Sequence, residues 1–403
     1  MSKKQELIRQ IADISFYTGI IIETLLVIID KSAYVNPIEG QLFRVTFLLF
    51  LVRVCFTKYS VKEYGAIVLF GILGLASYFA TGRNEVLRLI ILIAACKSID
   101  MQRCLKLIFY ITLAGCAAII LLSVSGVYGA VSLTQEYGRG SVETRYVLGM
   151  GHPNALHCMC WAVITLGLYL YGEKMKWYYF LLLFGVNYFF FLLTDSKTSF
   201  LVTTFTVLLA MLLSVFKNQI IRKLCVLGGC LAAVFSVGIS VAIAAQAYRI
   251  YNYVWHGDRT KITMFFVKLN DVLNGRIRIL VENEGFEGTT GTWSLFSRPG
   301  NNYFFDMGWI RLFYWFGIIP GVIFLAAVFI LMIYCYKKQD YMAAVMVVSV
   351  SVYSVIEAHV FSDYLARNYV FFLLGMYWSN MFGLSSPSEG YWWKIPGLLK
   401  ESK

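Results

Sequence analysis

The chain has 403 residues, 59% of them hydrophobic and only 14% charged, with a net charge of +12. A water-soluble domain carries roughly 45–50% apolar and about 25% charged residues, so the composition excludes a soluble, a disordered or a disulfide-stapled protein. The positive charge does not mark a nucleic-acid binder, because a chain of mean hydropathy +0.67 offers no soluble body on which to display a basic patch.

A membrane-spanning helix takes about 20 apolar residues. Apolar segments fall at 13–30, 41–56, 64–80, 84–100, 106–125, 147–171, 177–194, 198–216, 222–245, 306–335, 341–357 and 366–384. The reading is an all-α polytopic membrane protein of about twelve transmembrane helices. Residues 1–403 form one membrane domain, with no room for a second soluble domain. The first segment follows Lys3, Lys4 and Arg9 like a signal peptide. It lacks a small-x-small cleavage site and carries Glu23, so it is read as a retained helix.

Lysine and arginine in short loops set orientation. With the N-terminus inside, Lys58, Lys62, Lys97, Lys106, Lys174, Lys176, Lys217, Lys223, Lys337, Lys338, Lys394, Lys400 and Lys403 join the first lysines on the cytoplasmic side. Arg53, Arg103 and Arg222 fall there too. The outer side is mostly arginine. An even number of spans leaves both termini cytoplasmic, in a multi-pass protein of the cell membrane. No cysteine falls in an outer loop, so no disulfide framework is implied. Cys158 and Cys160 point to different helix faces and read as packing residues rather than metal ligands.

Two outer connections are long. One covers about 126–146 and holds Arg139, Glu143 and Arg145; the other covers about 246–305. The second, between the ninth and tenth spans, is rich in arginine, glycine and aromatics, and its Tyr248–Leu280 stretch fits one or two amphipathic surface helices. Long structured loops on a rigid scaffold are where function concentrates.

Guanidinium grips phosphate bidentately and stays charged when desolvated. The outer arginines therefore point to an anionic ligand such as a diphosphate, with Arg145, Arg276 and Arg278 as the foremost candidates. Snorkelling to lipid phosphates is the plainer account. Gly151-His152-Pro153-Asn154 breaks the sixth span and would turn His152 and Asn154 toward a wet cavity. A helix start with proline in its first turn explains Pro153 equally well. His157 reads as a packing hydrogen-bond donor. In Asp195-Ser196-Lys197-Thr198-Ser199, Asp195 and Lys197 can pair and Thr198 or Ser199 can cap the next helix. Asp306 enters the tenth span, where a carboxylate is costly unless used or paired. It serves either as a general base at a cavity mouth or as the partner of Arg311. Glu357, His359, Asp363 and Arg367 form a last outer charged cluster.

Arg145, the Gly151-His152-Pro153-Asn154 stretch, the Asp195–Ser199 turn, Gly275-Arg276 and Asp306 followed by Gly317 occur in this order over about residues 140–320. In this the chain resembles the O-antigen polymerase and ligase superfamily. It looks most like Wzy-type polymerases of Gram-positive capsule and exopolysaccharide biosynthesis. The resemblance implies a GT-C-type glycosyltransferase fold and an inverting, metal-free reaction with no cofactor. A glycan would pass from undecaprenyl diphosphate to a lipid-linked repeat unit on the outer face. It implies Asp306 as catalytic residue, where ligases usually carry histidine. Arg145, His152, Asn154, Lys197, Arg276, Arg278, Arg311 and His359 are the expected substrate-binding residues. Lys197 stands where arginine is more usual. Implied partners are the undecaprenyl-diphosphate-linked oligosaccharide, the bilayer, a flippase and a chain-length regulator. A ligase-like glycan transferase uses the same site. A twelve-helix flippase or transporter is the other alternative, but no internal repeat is present and few ionisable residues sit deep, Glu23 and Arg88 being the main ones.

Overall fold

The computed structural model describes residues 3–137, 141–283, 285–359 and 362–381. Arg139, Glu284, Lys394, Lys400, Lys403 and the 382–384 end of the last predicted span lie outside the described residues.

The chain is mostly helical. In order it forms α1 (Lys3–Lys31), α2 (Glu39–Phe56), α3 (Val61–Thr81), α4 (Glu85–Ala95) and α5 (Met101–Val124). A hairpin of β1 (Ser132–Glu136) and β2 (Val142–Tyr146) follows. Then come α6 (Pro153–Tyr171), α7 (Trp177–Thr194), α8 (Lys197–Val215) and α9 (Gln219–Gln246). The long connection holds α10 (Tyr248–His256), α11 (Lys261–Val272) and the single turn α12 (Arg276–Ile279). The chain closes with α13 (Gly308–Phe316), α14 (Ile318–Lys338), α15 (Tyr341–Tyr353) and α16 (Val370–Met381).

Eight of these helices are long and apolar enough to cross a membrane: α1, α3, α5, α6, α7, α8, α9 run on into α10, and α14. The other four predicted spans are different in kind. α2 has 18 residues but carries Glu39, Arg44 and Arg53. α4 and α15 have 11 and 13 helical residues, and at about 1.5 Å per residue each covers well under the ~30 Å hydrocarbon thickness; α16 is described only as far as Met381. Their burial explains their apolarity instead: α15 is interior on every face, packed on α6, α8 and α9.

Three further expectations change. The 147–171 span begins as a helix only at Pro153. The chain is not purely α, because the 126–146 connection forms an antiparallel hairpin with Leu133 opposite Arg145. The 306–335 span is two helices, divided at Gly317, whose φ is +98°. A Cβ there would lie 2.6 Å from both the Leu295 carbonyl oxygen and the Phe296 Cα. Gly317→Ala should therefore cost about 2 kcal/mol or more. It should visibly lower the thermal midpoint of the purified protein; an unchanged midpoint would refute this account of the break. The one or two amphipathic helices expected in Tyr248–Leu280 correspond to α10, which continues α9, and α11.

Deep charges are paired. Arg88 NH2 lies 3.0 Å from Glu23 Oε1, and the Thr46 hydroxyl donates to the same oxygen at 2.6 Å. Arg53 also belongs to this group. It is fully buried, 2.7 Å from Asp13 Oδ1, and donates to the Lys97 carbonyl at 2.9 Å. Removing one partner of such a buried pair typically costs about 3–5 kcal/mol, which is why these charges read as structural.

Candidate functional site at one end of the bundle

The residues singled out in sequence gather where α1, α7 and α15 end and where α6 and α8 begin. Gly151 fixes the first of these junctions. Its N–H donates to the Lys31 carbonyl at 2.9 Å, and Ser32 bridges to Met150. His152 is then extended (φ −156°) and caps α6: its Nδ1 accepts the Asn154 N–H at 3.1 Å, with Pro153 in the first helical position. The helix-start reading of this stretch is thus correct, and it leaves a chemical handle. Burial holds His152 below the ordinary imidazole pKa, opposed by Asp306. The ring is neutral near pH 7, and with Nδ1 accepting, the proton sits on Nε2, a donor.

Two cavities open here. The smaller, about 170 Å³, is lined by Arg145, Lys197, Arg276, Asp195, Glu136 and Tyr137 among others. The larger, about 470 Å³, is lined by Lys31, Arg311, Arg367, Asp363, Glu357 and Cys158 among others. His152, Asn154 and Asp306 line both. These three form the wall where the chambers meet.

Among the described residues of the hairpin strands, Arg145 alone is buried. Its guanidinium makes two bonds to Glu143 Oε2, at 3.0 and 2.5 Å, and lies 3.5 Å from Asp195 Oδ2. The Tyr137 ring stacks on it at 4.1 Å. Its fork is largely engaged by these carboxylates. Arg276 is 6% exposed. Its NH1 donates to the Leu273 carbonyl at 3.3 Å. Its NH2 lies 3.1 Å from Glu357 Oε1 and 3.7 Å from Asp306 Oδ2, and its Nε has no partner. Lys197 is exposed and has no ion pair among the described residues; Asp195 faces Arg145 rather than Lys197. Neither Thr198 nor Ser199 caps α8. Ser196 holds the N-cap position with no side-chain cap bond, and Ser199 instead bonds the Tyr353 hydroxyl at 2.6 Å.

Asp306 is not the partner of Arg311. Arg311 donates to the Phe305 carbonyl at 3.0 and 2.6 Å and is held between the Phe304 and Trp315 rings. That frees the Asp306 carboxylate, with a 39% exposed side chain, for the chamber and for Arg276.

Two expected site residues fall elsewhere. Arg278 is on the opposite face of α12 from Arg276, 3.6 Å from Glu282 and away from both chambers. His359 is 1% exposed. It sits behind the wall, stacked on Tyr353 at 4.5 Å, with Nε2 3.4 Å from the Cys158 sulfur. Burial, reinforced by nearby cations, drives its pKa far down. His157 is fully buried and holds Asn187 and Thr194, a packing role as expected.

Of the last outer charged cluster, Glu357, Asp363 and Arg367 line the larger chamber, and Glu357, which was not among the expected substrate-binding residues, lies nearest the wall. Its side chain is 12% exposed, lines the larger chamber and is bridged to Asp306 through Arg276. Burial, with Asp306 adding to it, pushes its carboxyl above the usual range against the pull of Arg276. Its signal was present: a carboxylate just past the end of an apolar helix. Among the described residues no group of His, Cys, Asp and Glu is arranged to hold a metal ion. No protein-family model, curated protein or solved structure matches the chain.

Proposed function

We propose that the chain is a membrane polysaccharide polymerase of the O-antigen polymerase and ligase superfamily, with a GT-C-type arrangement and its site on the outer face of the cell membrane. The observation that carries this reading is the shared wall. Asp306 faces a small chamber bearing the unpaired Lys197 and the unpartnered Arg276 Nε, and also a larger one bearing Lys31 and Arg367. A transfer between two lipid-linked glycans needs two adjoining sites with one base between them.

In this reading the acceptor sugar hydroxyl lies in the larger chamber. Asp306 takes its proton as the oxygen attacks the anomeric carbon of the donor glycan. The bond from that carbon to the lipid diphosphate breaks with inversion. The electron pair goes to the diphosphate, whose growing charge meets Arg276 and Lys197 in a partly desolvated space. His152 Nε2–H and the Asn154 amide supply hydrogen bonds at the junction. Arg145 acts mainly by holding Glu143 and Asp195 and so shaping the chamber.

Purified protein incubated with undecaprenyl-diphosphate-linked repeat units should produce a ladder of lengthened glycans. A folded protein that leaves the correct repeat unit unchanged would sink the proposal. Transfer of one finished glycan to an acceptor other than the repeat unit would instead identify a ligase. Movement of intact substrate across vesicle membranes without elongation would identify a flippase.

A further inference from the structure

Arg278 and the aromatics of the long connection remain outside the two chambers, yet they share a cavity of their own. It has a volume of about 380 Å³ and lies between α10 and the segment following α12. Its floor is aromatic. The Tyr251 ring meets Phe286 edge-on at 4.9 Å and lies 6.2 Å from Trp255. Trp255 is 71% exposed, an open ring face. Phe286 is held at φ +48°, a backbone conformation that non-glycine residues rarely keep without a reason. The rim is polar and planar: the guanidinium of Arg278, the carboxylate of Glu282 and the amide of Asn283.

This pairing of surfaces has a chemical match. A sugar ring offers an apolar C–H face that packs on an aromatic ring, and an edge of hydroxyls that both donate and accept. Arg donates, Glu accepts, and the Asn amide does both. Position points the same way. α12 is one turn long, and residues two apart on a helix point to opposite sides. Arg276 is buried on the small chamber and Arg278 is open on the aromatic cavity. A glycan whose reducing end sits at Arg276 therefore needs only to cross this turn to reach Trp255.

We propose that the cavity formed by Tyr251, Trp255, Phe286, Arg278, Glu282 and Asn283 is a second glycan-binding site that holds an oligosaccharide chain away from the reacting end. The source of that chain rests on the polymerase reading; the binding chemistry does not. A bilayer surface is the competing occupant, since exposed tryptophan also settles at lipid headgroups. The pairing of Glu282 with Arg278 at 3.6 Å argues against it, because a rim whose cation is already matched offers no net charge to an anionic headgroup layer.

The test uses the full chain in nanodiscs and a named probe: surface polysaccharide from the source strain, hydrolysed to graded lengths and free of lipid. Affinity should rise with probe length. It should fall by about tenfold or more in Trp255→Ala and again in Tyr251→Ala, as expected when a stacking contact worth about 1.4 kcal/mol is lost. Trp255 emission, taken as the difference between the native chain and Trp255→Phe, should shift on adding probe. Equal affinity in the native and substituted chains would overturn the proposal. So would Trp255 emission that brominated acyl chains quench and the probe leaves unmoved, which would place the ring in lipid. Binding without glycan elongation would remove the polymerase reading and leave this site standing. Elongation without Trp255-dependent binding would do the reverse.

Discussion

Arg276→Lys should lower glycan elongation by roughly 100-fold or more, the loss typical of removing one preorganised donor to a developing negative charge. The native guanidinium does several things at once. NH1 reaches the Leu273 carbonyl at 3.3 Å, NH2 stands at 3.1 Å from Glu357 and 3.7 Å from Asp306, and Nε remains for a ligand. A lysine ammonium is a point charge at the end of a flexible stem. It can neutralise the two carboxylates but cannot also present a fixed donor to a phosphate. The substitution keeps the charge, so the folded protein should survive. Arg276→Ala would instead leave buried Glu357 uncompensated and confuse activity with unfolding. Elongation assayed on purified protein of unchanged thermal midpoint decides the matter. Wild-type turnover in Arg276→Lys would remove this residue from the chemistry.

Asp306→Asn should be as severe, lowering turnover about 10²–10⁴-fold, the usual worth of a positioned general base. Asparagine keeps the shape and the hydrogen-bonding reach toward Arg276. It loses the ability to take a proton. Substrate binding should change much less than turnover, because the amide still fits the junction of the chambers. Normal elongation by Asp306→Asn would eliminate the base assignment. In that event Glu357, on the other side of Arg276, becomes the residue to substitute next.

Much of the helical framework was legible because hydropathy reports burial from water and from other helices alike. That same ambiguity separates the twelve apolar segments of the sequence from the eight described helices long and apolar enough to cross a membrane. α15 is apolar since it is enclosed by protein, and at 13 residues it is too short to span. The hairpin escaped notice because its strands, Ser-Leu-Thr-Gln-Glu and Val-Glu-Thr-Arg-Tyr, lie on the surface and show no clear apolar alternation. The break at Gly317 depends on a positive φ that no hydropathy pattern encodes.

The site was legible in part for a simple reason. His152, Asn154, Lys197 and Asp306 lie at or just before helix starts, and Arg145 lies in the hairpin strand that leads into α6, so chain order alone brings them near one another. Arg276 and Arg278 show the limit of that logic. Both sit in one arginine-rich loop, and a single helical turn sends them to different cavities. His359 shows another limit: a histidine in a polar loop looks available, yet Trp161 and Tyr353 enclose it. Arg311 shows a third: its guanidinium is spent on a backbone carbonyl and two aromatic rings rather than on Asp306.

The wall common to the two chambers makes their occupants thermodynamically dependent on one another. A ligand that neutralises or reorients Asp306 from one side alters the field and the hydrogen bonds felt from the other. By linkage the second ligand must return the same free energy to the first. Affinity measured for either ligand alone is then not the affinity at work when both are bound. The order in which the chambers fill becomes a property of three side chains, His152, Asn154 and Asp306, rather than of either chamber taken separately.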